Sequence, residues 1–184
     1  MWKIINLDLL VFLSAVGQNL SMTEFEKKSA YQRAGEKINA LLSGEQDMIA
    51  RMASVSSILA GEFDTFFWTG FYRMLDGELV IGPYQGTPGC LRISLDRGVC
   101  GAAVTQGQTM VVADVHEYPG HIACDARSRS EIVVPVWDAS GMLIAVLDVD
   151  SEKIGTFNEI DRVCLEAIVT DVFGSASTLS QHLA

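Results

Sequence analysis

Two runs of apolar and β-branched residues constrain the fold of this chain most strongly. They extend from Glu131 to Trp137 and from Met142 to Asp150, and only the turn Asp138-Ala139-Ser140-Gly141 separates them. A connection this short joins antiparallel strands, so the two runs predict a β-hairpin. A second hairpin is predicted upstream, where an Asp-Gly turn lies between Thr65–Met74 and Glu78–Tyr84. The sequence therefore predicts an antiparallel sheet.

Three longer segments have the apolar spacing of helices. The first extends from Thr23 to Leu42, the second ends near Gly61, and the third begins near Asn158 and continues to the end of the chain. Ser43 followed by Gln46 fits a capping box at the start of the second helix. Helices of this kind are expected to cover the faces of the sheet.

Shorter elements fill the middle of the chain. We predict strands at Cys90–Ile93 and Thr109–Ala113, and a helix from Val99 to Gln106 that Gly107 ends. The segment from Asp114 to Ser130 has no periodicity, and loops of this length in compact domains are usually functional or disordered. Taken together, the elements predict one α+β domain, with a central antiparallel sheet flanked by helices, over residues 23–184.

Residues 1–22 form a separate extension. They contain one lysine and an apolar run that Asn6 and Asp8 interrupt, and the run is too short to span a bilayer. Two interpretations stay open: an extension that packs on the domain or is disordered, and a weak signal peptide. We adopt the first, and expect a cytoplasmic protein that does not enter the membrane.

Charge and cysteine spacing exclude several classes of function. The net charge of -10 argues against a nucleic-acid partner, which would require clustered lysine and arginine. The four cysteines include no CxxC pair and no zinc-finger spacing with histidine, so we expect neither a disulfide scaffold nor a metal site. Cys164 lies in the apolar pattern of the last helix, where packing is its expected role.

The other three cysteines fall in one stretch, between Gly86 and Arg127. Glycine or polar residues flank Cys90, Cys100 and Cys124. Cys100 stands at a predicted helix N-terminus, where the helix dipole would lower the pKa of its thiol. Three interpretations remain: a nucleophile with a resolving thiol, three incidental cysteines of a reducing cytosol, and a hydrolase that uses His116 or His121 as its base.

Acidic residues converge at one end of the last predicted hairpin. A tight turn would place Glu131 opposite Asp148 and Arg129 opposite Asp150, with both aspartates on one face. Directly opposed like charges destabilise a sheet. The group is therefore solvated, neutralised by Arg129, or used to bind a cation or to hold an acid of raised pKa. No metal-binding loop pattern supports a Ca²⁺ site.

Several sequence motifs together resemble one known family. WTGFY, GPYQG-x-x-x-C, GVCG-x-A, VADVHEYPGHIACD, RSEIVVPV and LDVDS resemble the free methionine-(R)-sulfoxide reductases, which are built on a GAF domain. The similarity extends from about Ala30 to Gly174. It implies an enzyme that reduces free L-methionine-(R)-sulfoxide with its own thiols, needs no cofactor and is recycled by thioredoxin.

The resemblance also implies roles for individual residues. Cys124 matches the nucleophile, Cys90 the resolving thiol that closes a disulfide onto it, and Cys100 a third thiol of uncertain role. The matched substrate-binding positions are Trp68, Tyr72, Glu131, Asp148 and Asp150. Helix-dipole reasoning favours Cys100 as the most activated thiol, whereas the resemblance favours Cys124, which we adopt. By analogy with GAF domains we expect a homodimer. The alternative function is that of a GAF sensor, which binds a small ligand without chemistry.

Overall fold

A computed structural model describes residues 22–121 and 124–174. All six described strands form one antiparallel sheet, in the order β3-β2-β1-β6-β5-β4. The α+β class, the antiparallel sheet and the flanking helices are therefore confirmed. Apart from Met22, the N-terminal extension lies outside the described residues, and so does the chain after Gly174.

The predicted elements are present with shifted ends. The strands are β1 (Trp68–Leu75), β2 (Glu78–Gln85), β3 (Arg92–Ile93), β4 (Met110–Val112), β5 (Ser130–Trp137) and β6 (Leu143–Ser151). The helices are α1 (Glu24–Leu41), α2 (Met48–Glu62), α3 (Gly98–Gln106) and α4 (Glu159–Val169), which continues as a π-helical turn over Thr170–Gly174. A 3-10 turn at Val115–Glu117 lies within the loop that precedes β5.

The helices begin at side chains that cap their free backbone N–H groups. Thr23 and Glu26 form a capping box at α1, and Asn158 caps α4. The predicted capping box of Ser43 and Gln46 is wrong, because Asp47 caps α2 by accepting a hydrogen bond from the Ala50 N–H at 2.8 Å. Gly107 ends α3 in the left-handed conformation, as predicted.

The register of the β5–β6 hairpin differs from the predicted one by two residues. Glu131 lies opposite Asp150 rather than Asp148, and Val133 lies opposite Asp148. The connection is longer than a tight turn because the Asp138 side chain accepts hydrogen bonds from the N–H groups of Ser140 and Met142. A shift of two residues keeps every side chain on its predicted face, so the acids still converge.

The two faces of the sheet have separate apolar cores. One face packs against α1, α2 and α4 through side chains such as Phe71, Ile132 and Leu147. The opposite face packs against α3 and the long loops, and its core includes Trp68 and Tyr72. The acidic side chains of β5 and β6 project from this second face, since side chains alternate along a strand.

A buried ion pair connects the first and last helices. Lys27 Nζ lies 2.6 Å from a carboxylate oxygen of Asp161, and the other oxygen accepts a hydrogen bond from the Tyr31 hydroxyl at 2.8 Å. The pair fixes α1 against the start of α4. Within the described residues, no helix has the length and apolar character needed to cross a membrane.

Candidate active site

A cavity opens on the second face of the sheet. The N-terminus of α3 and the loops that contain the cysteines surround it. Seven of the eight residues predicted for the site line it: Trp68, Tyr72, Cys100, Cys124, Glu131, Asp148 and Asp150. The eighth, Cys90, forms a disulfide with Cys124 and follows Pro88 and Gly89, which also line the cavity. The fold thus brings together residues that are up to 82 positions apart, from Trp68 to Asp150.

Cys90 and Cys124 form a disulfide at this cavity. Their Cα atoms are 5.3 Å apart, although 34 positions separate them in the sequence. Cys90 precedes β3 rather than belonging to it, so the predicted strand at Cys90–Ile93 is shorter than expected. The pairing that the sequence resemblance implied is present, and Cys100 and Cys164 are free.

Three carboxyl groups occupy the wall of the cavity formed by β5 and β6. Glu131 and Asp148 are each only 6% exposed. Burial and the neighbouring acids raise the pKa of Glu131 and of Asp148 well above the usual range. Burial also raises the pKa of Asp150 to about 6, although the Ser128 hydroxyl donates a 2.6 Å hydrogen bond to it. The cluster therefore holds protons near neutral pH.

Arg129 does not neutralise this cluster, contrary to one of the interpretations of the sequence. Its guanidinium lies 3.6 Å from the carboxylate of Asp114, and its backbone N–H bonds to the Ser151 carbonyl. The acids consequently have no arginine or lysine partner among the described residues. One oxygen of Asp148, Oδ1, is buried and has no hydrogen-bond partner in the described part of the chain. A cationic group in the cavity would satisfy it.

Cys100 is inaccessible to solvent and is not activated by its helix. The residue is 4% exposed, and its Sγ lies 3.9 Å from Oε1 of Glu131, to which the thiol donates. Burial, Asp148 and Glu131 raise the pKa of the Cys100 thiol well above its ordinary value. The expectation that the helix dipole lowers this pKa is wrong, because desolvation and the adjacent acids oppose the dipole.

Stacked aromatic rings form the apolar end of the cavity. The ring centroids of Trp68 and Tyr72 are 5.7 Å apart, and Trp68 also stacks on Tyr84. Gly89 lies directly against them: a Cβ at this position would be 3.0 Å from the Tyr72 hydroxyl. The glycine before Cys90 therefore lets the loop approach the aromatic wall closely. Burial raises the pKa of Tyr72, which stays a neutral phenol.

The loops beside the disulfide are joined by a polar network that sequence reasoning missed. Thr87 Oγ1 donates to Asp125 Oδ2 at 2.6 Å, and Arg127 donates to the same carboxylate from its backbone N–H and its guanidinium. We call these three residues the loop clasp. The Arg127 guanidinium also lies 4.9 Å above the ring of Phe67 and 3.2 Å from Glu152.

The two histidines of the long loop are placed differently. His121 lines the cavity, with Nε2 3.9 Å from Oε2 of Glu131, and burial lowers its pKa. His116 is more than half exposed and pairs with Asp114. Neither has a hydrogen bond to a thiol among the described residues, so the hydrolase arrangement gains no support. Cys164 packs against the main core, as its apolar setting predicted.

Comparison with known proteins identifies the family model and relatives that the chain matches. The GAF domain model matches residues 52–172. The free methionine-R-sulfoxide reductase of Escherichia coli (strain K12) is 40% identical over 153 residues, which are 83% of this chain and 89% of that protein. The similarity thus extends over nearly all the described residues.

Solved structures of other proteins are also similar to this chain. The free methionine-R-sulfoxide reductase from Neisseria meningitidis in complex with its substrate aligns with a TM-score of 0.77 at 39% identity, over 84% of this chain and 91% of that one. A protein from Burkholderia vietnamiensis that is described as a GAF sensor aligns with a TM-score of 0.77 at 46% identity, over 82% and 95%. The fold alone therefore does not separate a catalyst from a sensor.

Proposed function

The chain belongs to the GAF-domain family and, within it, to the free methionine-R-sulfoxide reductases, and on that premise we propose the residues by which it reduces free methionine-R-sulfoxide to methionine. Cys124 is the nucleophile and Cys90 the resolving thiol. Glu131, Asp148 and Asp150 hold the ammonium group of the substrate. Trp68 and Tyr72 pack on its S-methyl end.

The observation that carries this assignment is the position of the disulfide. Cys124 lines the same cavity as the three carboxyl groups, and its disulfide partner Cys90 follows a loop that touches the aromatic wall. Cys100 is buried against Glu131 and has a raised pKa. A thiol in this state is a poor nucleophile, because the thiolate is the reactive form.

The first step transfers the sulfoxide oxygen to the enzyme. In the reduced protein the Cys124 thiolate attacks the sulfoxide sulfur while a protonated carboxyl donates its proton to the oxygen. The hydroxyl group then passes to the sulfur of Cys124 as the sulfur–oxygen bond and the newly formed bond between Cys124 and the substrate sulfur both break, so that methionine leaves and Cys124 becomes a sulfenic acid. Glu131 and Asp148 suit the role of proton donor because burial and mutual repulsion raise their pKa.

The second step closes the disulfide. The Cys90 thiolate attacks the sulfenic sulfur, and the hydroxyl group leaves with a proton as water. Both electrons that reduce the sulfoxide thus come from Cys124 and Cys90, so the reaction requires no metal or organic cofactor. An external dithiol, for which we propose thioredoxin, reduces the disulfide again. Such a reductant is available in the cytoplasm, where thiols are kept reduced.

Selectivity for the free amino acid follows from the charge of the cavity. The free amino acid carries an α-ammonium group, which can bond to the unpartnered Oδ1 of Asp148 and to its neighbours. A methionine sulfoxide within a peptide has no such group. Its binding would leave buried acids without partners, which disfavours the complex.

An assay with dithiothreitol tests the proposed function. We expect consumption of free methionine-R-sulfoxide, with the S epimer and N-acetylmethionine sulfoxide spared. Asp138→Asn, in the distant β5–β6 turn, is a suitable control variant and should retain full activity. If neither epimer is consumed and another small molecule binds tightly, the protein is a GAF sensor and the proposed residue roles are refuted.

We also propose a homodimer that uses the outer helices. On α1, Phe25 is 79% exposed and Leu41 62% exposed, so apolar area remains on the outer surface of the described protomer. Burial of these side chains between two copies would remove that area from water. Light scattering should give twice the mass of the 20.0 kDa chain, and a Phe25→Glu variant should shift the mass towards one chain. A wild-type protein with the mass of a single chain contradicts the dimer.

A further inference from the structure

Three potential metal ligands meet at the base of the cavity. Cys100, Glu131 and Asp148 each offer one ligand atom, and these atoms lie within 4.8 Å of one another. The three residues are buried. They come from different elements, α3, β5 and β6, and the sheet and the α3 helix hold them in place. A thiol with two carboxylates is a mixed donor set that suits a borderline-soft ion rather than Ca²⁺ or Mg²⁺.

One pair of donor atoms has a spacing close to that of zinc ligands. With Zn–S and Zn–O bonds of about 2.3 and 2.1 Å at the tetrahedral angle, the sulfur and oxygen lie about 3.6 Å apart. The Sγ of Cys100 is 3.9 Å from Oε1 of Glu131. Only a few tenths of an ångström therefore separate the observed pair from zinc geometry, and the protons of the thiol and carboxyls would be released.

Asp148 provides a second, independent indication of a cationic ligand. Its Oδ1 is buried and accepts no hydrogen bond from any described residue, and the residue is 6% exposed. Asp148 lies on β6, opposite Gly70 on one side and Val133 on the other, neither of which offers a polar side chain. A buried carboxylate oxygen in this position requires a proton or a cation to balance it.

We propose that Cys100, Glu131 and Asp148 bind Zn²⁺ and that the ion excludes the substrate. The three residues fill three positions of a tetrahedral ion and leave the fourth open to the cavity, where water or another small ligand binds. The ion occupies the place of the substrate ammonium, so zinc and free methionine-R-sulfoxide compete. Zinc binding does not depend on the proposed function, whereas inhibition of the reductase by zinc rests on it.

Cobalt substitution of the oxidised protein tests the site without any turnover. The disulfide removes Cys90 and Cys124 as ligands, which leaves Cys100 and Cys164 as the free thiols. Addition of Co²⁺ should produce a near-ultraviolet thiolate-to-cobalt charge-transfer band. Cys100→Ser should lose the band, and the matched control Cys164→Ser should keep it. A band that is absent from the wild type, persists in Cys100→Ser, or is lost in Cys164→Ser overturns the proposal.

Two further measurements keep the test independent of folding and of activity. Glu131→Gln retains Cys100 and should weaken zinc affinity on the order of tenfold or more, so an unchanged affinity contradicts the site. Free L-methionine should lower the cobalt band of the wild type, and an unchanged band contradicts a shared site. Reductase activity in EDTA does not depend on the proposed ion, so its loss would instead refute the proposed function.

Discussion

Asp150, a proposed binding residue, makes the stability of the fold depend on pH. The carboxyl group is partly buried next to other acids, and its pKa rises to about 6 in the folded protein. In the unfolded chain the same group titrates near 3.8. The folded state therefore binds this proton more tightly than the unfolded chain does. The contribution of Asp150 to the free energy of unfolding is consequently greatest below pH 4 and declines as the pH rises through 6. In the proposed function, this loss of stability accompanies the use of the acids to bind the substrate ammonium group.

Asp150→Asn should consequently stabilise the protein at pH 8 and have little effect at pH 4. The difference between a pKa of about 6 in the folded protein and one near 3.8 in the unfolded chain corresponds to up to about 3 kcal/mol in the free energy of unfolding. Urea denaturation at both pH values measures it. Asp138→Asn is the control of opposite sign, since hydrogen bonds lower the pKa of the exposed Asp138 carboxyl. Equal stability of Asp150→Asn and wild type at pH 8 would contradict the account.

Among the elements of the structure, two loops position Cys90 and Cys124, the proposed catalytic thiols. The loop clasp joins Thr87, three residues before Cys90, to Asp125, which follows Cys124 directly. Hydrogen bonds from Thr87 and Arg127 lower the pKa of Asp125, so its carboxylate stays charged and keeps its partners. The clasp therefore holds the two loops at the separation that the disulfide needs.

Asp125→Asn should slow disulfide closure and leave the first chemical step intact. The asparagine loses the charge that pairs with Arg127, so Cys90 meets the sulfenic acid less often. Mass spectrometry after dimedone trapping should find more sulfenic acid on Cys124 than in the wild type, with the same yield of methionine in the first turnover. Thr87→Val should have the same effect, whereas Asp138→Asn should not. Wild-type closure rates in both clasp variants would refute this role.

The faces of the strands could be predicted from the sequence, but the contacts made by the loops could not. Period-two alternation placed Glu131, Asp148 and Asp150 on one face, and a register shift of two residues preserved this. The register itself depended on how the Asp138 side chain folds the turn. The clasp joins residues 38 positions apart in segments without periodicity, so no sequence pattern indicated it.

The setting of Cys100 was also beyond sequence reasoning. A helix N-terminus was correctly predicted there, and in isolation it would lower the pKa of a thiol. Its actual effect depends on tertiary packing, which buries the thiol beside Glu131 and Asp148. The resemblance of the motifs supplied the pairing of Cys90 with Cys124, which spacing alone left open.

At the scale of the whole molecule, the buried pair of Lys27 and Asp161 connects the two ends of the described chain. Asp161 is fully buried and accepts from Lys27, Tyr31 and the backbone N–H of Asn158, so it also caps α4. This junction lies on the sheet face opposite the cavity, among the residues that surround the main core. It stabilises the domain without contributing to the chemistry.

Asp161→Ala should destabilise the protein by roughly 3–5 kcal/mol, because it leaves the Lys27 ammonium buried without a charge partner. Turnover per folded molecule should stay unchanged at low temperature. Glu159→Ala is the matched control on the same helix: its pair with Arg162 is exposed to solvent, so its loss should lower the free energy of unfolding much less. Similar denaturation midpoints for the two variants would show that the buried pair stabilises the protein no more than the exposed pair does.

Cys124, and not Cys100, is the thiol that we propose attacks the sulfoxide. Single-turnover experiments distinguish the two thiols: each reduced variant is mixed with free methionine-R-sulfoxide without external reductant, and methionine is quantified. We predict about one methionine per protein for Cys100→Ser and for Cys90→Ser, and none for Cys124→Ser, since only that variant lacks the nucleophile. Methionine formation by Cys124→Ser, together with its absence in Cys100→Ser, would contradict the assignment.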